Sequence, residues 1–286
     1  MRELGAVCLD GDIIDVRDVR LEPFSRAFRW GEGLFETIRV RGGVLEYLAD
    51  HLRRMSASAR ALGFQPPDVE RIARMACLFV KARSLERGAV RITLARRDAR
   101  RLWPCDDPAT SVLITGSEGI PYPEDIAARG LAAAVIEEPC RVAGFLSRHK
   151  TTSYLASIMA RKAAFEASAD IAVMRNQFGR IAEADIANIF VRCADGRVVT
   201  PPIEEGALPG ITRARLMAAM PGIEEAPLTK EDLRLAEELV FTNALMPVIP
   251  ASQLDGRPLV RRDLFIEARE ALERGGGDGG EDRGSS

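Results

Sequence analysis

Apolar residues along this chain recur at two spacings, alternating in short runs and every three or four residues in longer ones, and these divide it into strands and helices. "AVCLDGDIIDV" (6–16) alternates on either side of Asp10-Gly11, a dipeptide suited to the positive φ angles of a tight hairpin turn. "LFETIRVRGGVLEYL" (34–48) repeats the arrangement around Gly42-Gly43. Asp50 then opens a helix in which Leu52, Met55, Ala59 and Leu62 share one side, Arg54 points off that side, and Gly63 closes the last turn. A second helix runs from Asp68 to about Arg83. In "GAVRITLARR" Val90, Ile92 and Leu94 alternate with Arg91, Thr93 and Ala95, which makes one side of that strand apolar and the other polar. "SVLITG" predicts a further strand.

The segment "SEGIPYPEDIAARG" interrupts both patterns with Pro and Gly and marks a crossing between domains. The expected division is a small N-terminal α/β domain over 1–120, a linker at 121–127 and a large C-terminal domain over 128–274. Residues 275–286, rich in Gly and acid with nothing to bury, read as a disordered tail. The second half begins with the strand "LAAAVIEEP" and a helix over about 152–167, with Leu155, Ile158, Met159 and Phe165 on its core side. The strand "DIAVMRN" and a return strand "IANIFVRC" follow, then a turn at Asp195-Gly196, a helix after "LPG", and a buried strand and loop in "ELVFTNALMPVIP". No internal repeat is present, and the fold class is α/β with mixed sheets.

Composition narrows the function classes. With 40 basic and 42 acidic residues interleaved, a formal charge of −2 leaves no electrostatic footprint for nucleic acid or a membrane surface. No run reaches the roughly 18 apolar residues that span a bilayer. Five cysteines, odd in number and without C-x-x-C, suit reduced thiols packed as small apolar groups in a cytoplasm. Two histidines exclude a multi-histidine metal site and leave little room for a hydrolase triad. Neither a P-loop nor a strand-linked G-x-G-x-x-G occurs. Chemistry therefore falls to Lys, Arg, Glu, Thr or a borrowed cofactor.

Lysine usage supplies the first candidate. Of the 40 basic residues only Lys81, Lys150, Lys162 and Lys230 are lysines. A solvated site tolerates arginine, whereas a site that needs a neutral amine does not. Lys150, in "SRHKTTSY" just before a helix, has the setting of an imine-forming nucleophile, though a surface loop explains it equally well when it is taken alone. Further on, "IAEADIANIF" carries Glu183 into an apolar strand, where a carboxylate needs a partner; a cap or a buried ion pair would also account for it. In "LPGITRARL" Gly210, Ile211 and Thr212 stand at a helix start that favours an anion, and Thr242 in "FTN" adds a hydroxyl at a strand end. Each of these signals is weak by itself.

In order, "HLRRM", "RHKTTSY", "EADIANIF", "LPGITRARL" and "VFTNALMPVIP" resemble the fold type IV family of pyridoxal 5′-phosphate enzymes, over about Phe28 to Pro250. That family holds the branched-chain and D-amino-acid aminotransferases and 4-amino-4-deoxychorismate lyase. The resemblance implies two α/β domains with the cofactor between them, a homodimer, and small amino and 2-oxo acids as substrates. It also implies roles for particular residues. Lys150 would bind the cofactor as a Schiff base and move the proton, Glu183 would pair with the pyridinium nitrogen, and Tyr154 would contact the ring hydroxyl. Arg54, Ile211, Thr212 and Thr242 would hold the phosphate.

Within the family the motifs diverge, since "NALMPVIP" resembles the lyases and "KTTSYLASIMARKAA" the aminotransferases. Phe35 stands where D-amino-acid aminotransferases commonly have tyrosine. Arg101 matches the arginine of their Arg-x-His carboxylate trap, but Trp103 replaces the histidine. A substrate carboxylate is best met by arginine, and Arg29 and Arg91 are the candidates to stand in for that trap. The expectation is a transaminase of D-amino acids such as D-alanine or D-glutamate with 2-oxoglutarate as acceptor. The alternatives are the lyase and a cofactor-binding protein without turnover.

Overall fold

A computed structural model describes residues 1–20, 22–97 and 109–275, and the chain divides into two compact units: Met1–Pro121 with His149–Tyr154, and Tyr122–Arg148 with Leu155–Ser286. The stretch around Lys150 therefore belongs to the first unit, although the residues on either side of it in sequence belong to the second.

The first unit is built on an antiparallel sheet. Its elements are β1 (Arg2–Glu3), β2 (Ala6–Leu9), β3 (Asp12–Asp15), α1 (Arg26–Trp30), β4 (Gly33–Arg41), β5 (Val44–Leu45), α2 (Leu48–Ala61), α3 (Val69–Ala82), β6 (Arg87–Arg96) and β7 (Thr110–Glu118). The strands lie in the order β3-β2-β7-β6-β4-β5, with β1 beside β7. Both expected hairpins form, with Asp10, Gly11, Gly42 and Gly43 all at positive φ. Alternation along β4 and β6 sends Leu34, Ile38, Val40, Val90, Ile92 and Leu94 to the side where Leu52, Met55, Ala59, Ile72 and Phe79 of α2 and α3 complete the core. Helix α2 begins at Leu48, two residues before the expected opening, after Tyr47 in the left-handed conformation; Asp50 lies inside the first turn and pairs with Arg53. Helix α1 has no counterpart in the expectations, because five residues are too few to show a helical period.

The second unit comprises α4 (Ile126–Arg129), β8 (Leu131–Ile136), α5 (Leu155–Glu166), β9 (Ile171–Arg175), β10 (Ile181–Ala184), β11 (Asn188–Arg192), β12 (Val198–Thr200), α6 (Ile211–Ala219), β13 (Ile223–Glu225), α7 (Lys230–Leu235), β14 (Glu238–Thr242), β15 (Ile249–Leu254), β16 (Arg257–Pro258) and α8 (Asp263–Gly275). Its mixed sheet runs β10-β9-β8-β15-β14-β11-β12-β13, with β8 parallel to both β9 and β15 and with β16 beside β15.

Two expectations are corrected here. The apolar run "IAEADIANIF" is two strands: β10 pairs back onto β9, and after a break at 185–187 the chain joins β14 as β11. The side of α5 that packs on the sheet is also the opposite of the expected one. Ser157, Ala160 and Ala164 are its buried residues, while Leu155, Ile158, Met159 and Phe165 are exposed. The floor beneath them, formed by Ala134, Ile136, Ala172 and Met174, accepts a helix whose facing residues are small. Gly275, the first residue of the expected tail, ends α8, and the rest of that tail, 276–286, lies outside the described residues. None of the described helices is long and apolar enough to cross a membrane.

Candidate active site

In the first unit the lysine stretch is tied to β4 as a short extra strand. Leu34 and Thr151 form an antiparallel bridge, the Phe35 N–H donates to the Lys150 carbonyl at 2.9 Å, and the Thr152 N–H donates to the Gly33 carbonyl at 2.9 Å. Position 33 must be glycine for this approach, because a Cβ there would lie 2.8 Å from the Thr152 hydroxyl oxygen. His149 meets the Ser58 hydroxyl of α2 through Nδ1 at 3.0 Å. The half-buried Lys150 places its Nζ 4.4 Å from the centre of the Phe35 ring and 5.6 Å from that of Tyr154, and the two rings meet edge to face at 5.5 Å.

Arg91, on the polar side of β6, stacks on the same Phe35 ring at 3.6 Å and donates from Nε to the Thr93 hydroxyl at 3.4 Å. It presents surface to solvent, yet neighbouring groups withdraw enough water to lower its pKa, a shift that the nearby Tyr154 opposes. No carboxylate among the described residues forms an ion pair with it. Lys150, Tyr154, Phe35 and Arg91 thus form one cluster.

The opposite side of β4 holds a second cluster. Glu36 points into the helix-covered core and is 1 % exposed. His51 Nδ1 lies 2.7 Å from its Oε2, and Arg54 donates from Nε to Oε1 at 2.9 Å and from Nη2 to Oε2 at 2.5 Å. Burial by itself would raise the carboxyl's pKa; the Arg54 charge and the hydrogen bonds from His51 and Arg54 outweigh it and hold the value at about 2.

In the second unit Glu183, at 6 % exposed, is held on three sides. Arg141 Nη2 lies 2.9 Å from Oε1, and Oε2 accepts from Asn188 Nδ2 at 3.1 Å and from the Leu208 N–H at 2.9 Å. Asn188 also donates to the Leu208 carbonyl at 2.9 Å and packs against Gly210, where any Cβ would collide with its Oδ1. Gly210 precedes α6, whose first turn, Ile211 and Thr212 included, has no side-chain cap. At the end of β14, opposite Asn188, Thr242 has a buried hydroxyl with no hydrogen-bond partner among the described residues. A polar atom buried without a partner is costly, and an uncapped helix start beside it suits an anion such as phosphate.

The described residues therefore bring the expected site residues together in separate groups within each unit. Arg29 stacks on Trp30 at 4.6 Å, whereas Arg91 stacks on Phe35. Arg101 and Trp103 lie outside the described residues. Three residues escaped sequence reasoning. Glu36 left a readable trace, since it falls in register with Leu34, Ile38 and Val40 on the apolar side of its strand. Asn188 left a fainter one as a polar residue in an apolar run. Arg141 left none, because its approach to Glu183 is a tertiary contact from a loop.

Comparisons with known proteins find relatives along nearly the whole chain. The family model for amino-transferase class IV matches residues 33–254. A Methanocaldococcus jannaschii protein provisionally named a branched-chain-amino-acid aminotransferase is 28% identical, over 94% of each chain. A D-alanine aminotransferase of Staphylococcus aureus is 23% identical, over 88% of this chain and 90% of its own. Among solved structures, the branched-chain aminotransferase of Thermoproteus uzoniensis with norvaline superposes with a TM-score of 0.83 at 27% identity, covering 94% of this chain and 93% of its own.

Proposed function

The chain belongs to the amino-transferase class IV family, whose cofactor is pyridoxal 5′-phosphate, and from that premise we propose that it moves the amino group of an apolar α-amino acid to a 2-oxo acid. The observation that carries this reading is the aromatic cluster in which Lys150 and Arg91 share the Phe35 ring. Lys150 would hold the cofactor covalently, Glu183 would pair with its ring nitrogen, and Tyr154 would meet its ring hydroxyl. The phosphate falls to Arg54, Ile211, Thr212 and Thr242, and the unpartnered Thr242 hydroxyl and uncapped α6 fit it. When bound, pyridoxal phosphate supplies an electron sink for the charge left on the substrate Cα. The Lys150 amine would carry the proton from the substrate Cα to the cofactor carbon that had borne the lysine imine, so that the amino group stays with the cofactor. The ionic contact from Arg141 and the two N–H donors keep the Glu183 carboxylate aimed. Arg91 takes the substrate carboxylate, and the aromatic cluster takes an apolar side chain.

Branched-chain amino acids are the donor class we favour, because Phe35 lacks the hydroxyl expected of a D-amino-acid enzyme and the relatives include branched-chain enzymes over nearly the whole chain. Small D-amino acids, the donors expected from the sequence, are the second reading, favoured by the likeness to D-alanine aminotransferase. The test mixes holoenzyme with L-leucine, L-valine or D-alanine and follows the cofactor's absorbance as its aldehyde becomes an amine. Conversion by the L-donors is expected, with Arg91→Ala raising their KM. Conversion by D-alanine alone would move the assignment to the second reading. Release of pyruvate and 4-aminobenzoate from aminodeoxychorismate, with no conversion by any amino acid, would make the protein a lyase.

A second copy of the chain is the partner we propose, seated on the exposed apolar side of α5. The free cysteines at 8, 77, 140 and 193 suit a reducing compartment, and we assign the protein to the cytoplasm.

A further inference from the structure

Glu36 is an expensive residue for its position. It occupies the core side of β4 between Leu34 and Ile38, where a carboxylate without partners is not tolerated. Both of its side-chain partners, His51 and Arg54, come from one turn of α2. An apolar trio of the same volume would serve folding as well, so stability alone gives little reason for this one. What the trio does achieve is geometric. The carboxylate grips the Nε and Nη2 edge of a planar guanidinium in a two-point fork, and His51 fixes the carboxylate from its other flank, so the plane of Arg54 is set before any ligand arrives. The adjacent residue, Phe35, meets Lys150 on the opposite side of the same strand.

We infer that Glu36, braced by His51, is a positioning residue that orients Arg54 for the cofactor phosphate. This rests on the reading, made above, that Arg54 is a phosphate ligand. A guanidinium oriented in advance gives up less rotational freedom when it binds an anion. Glu36→Gln keeps the volume but removes the charge and turns an amide N–H₂ toward the donors of Arg54 or His51, which releases the fork.

The experiment compares two ligands of the apoprotein, pyridoxal 5′-phosphate and pyridoxal, which lacks only the phosphate. Glu36→Gln is expected to weaken pyridoxal phosphate by roughly tenfold, the scale of one lost charge-assisted hydrogen bond, and to leave pyridoxal within about twofold. Inorganic phosphate is expected to raise the melting temperature of the wild-type apoprotein, and that of Glu36→Gln by less. Equal weakening of both ligands would reveal general damage and overturn the inference, as would unchanged affinity for both. If Glu36→Gln fails to fold, His51→Asn decides by the same selective loss; failure of both variants to fold would assign the trio to the core and also overturn it. Arg54→Ala separates the premise from the inference. If it keeps the preference for pyridoxal phosphate, the phosphate role of Arg54 falls. If it erases that preference while Glu36→Gln retains it, the positioning role of Glu36 alone falls.

Discussion

Lys150 lies against the rings of Phe35 and Tyr154, and an arginine in its place could not form an imine. Lys150→Arg should therefore lose both the cofactor's imine absorbance and turnover. Borohydride reduction followed by mass spectrometry should show the cofactor mass on the wild type and none on the variant; an adduct retained at position 150 would refute the assignment. Glu36 yields a pH prediction. Its folded pKa of about 2 lies below the ordinary 4.5, so its contribution to stability is complete above 4.5 and is lost as pH falls toward 2. Apoprotein melting temperatures measured from about pH 5 down to about pH 2.5 should fall, and Glu36→Gln should flatten part of that slope. At this scale the sequence was partly legible. Lys150 stood out because arginine cannot replace an imine-forming amine, whereas Arg141 is a partner only through chain folding.

The elements of the first unit follow from its two periods, but a period does not always choose a side. Helix α5 is apolar nearly all round, and the size of its residues, not their hydrophobicity, decides which of them face the sheet: Ala160 and Ala164 fit where Ile158 and Phe165 do not. The run around Glu183 misled for a different reason, since the three residues between the two strands, Asp185 to Ala187, carry no Gly or Pro to mark a break. The loop before α6 shows how one residue serves an element. Gly210→Ala would push its Cβ into the Asn188 side chain, which cannot retreat without releasing Glu183 and the Leu208 carbonyl. Overpacking of this kind costs about 1–3 kcal/mol, so a lower melting temperature and weaker pyridoxal phosphate binding are expected together. A variant with unchanged values for both would mean that Asn188 does not brace the site.

At the scale of the whole molecule, the crossing near Pro121 is visible in the sequence because Pro and Gly break the pattern there, while the return of His149–Tyr154 to the first unit has no signature in any local period. The same scale gives the outer side of α5 its meaning. Leu155, Ile158, Met159 and Phe165 leave an apolar stripe whose most open member, Phe165, is 80 % exposed. With Ser157, Ala160 and Ala164 on its own sheet and its large residues outward, α5 offers the face on which we propose that a second copy sits. With a formal charge of only −2, two copies would meet against little net repulsion. Covering a large apolar side chain stabilises by about 1.5–3 kcal/mol, a gain that works against the cost of bringing two copies together. Light scattering coupled to size exclusion should give twice the chain mass for the wild type. The double variant Ile158→Glu with Phe165→Glu should shift toward the single chain without loss of helix signal, since neither residue supports the core. A wild type that runs as a single chain, or a double variant that stays paired, would remove α5 from the interface.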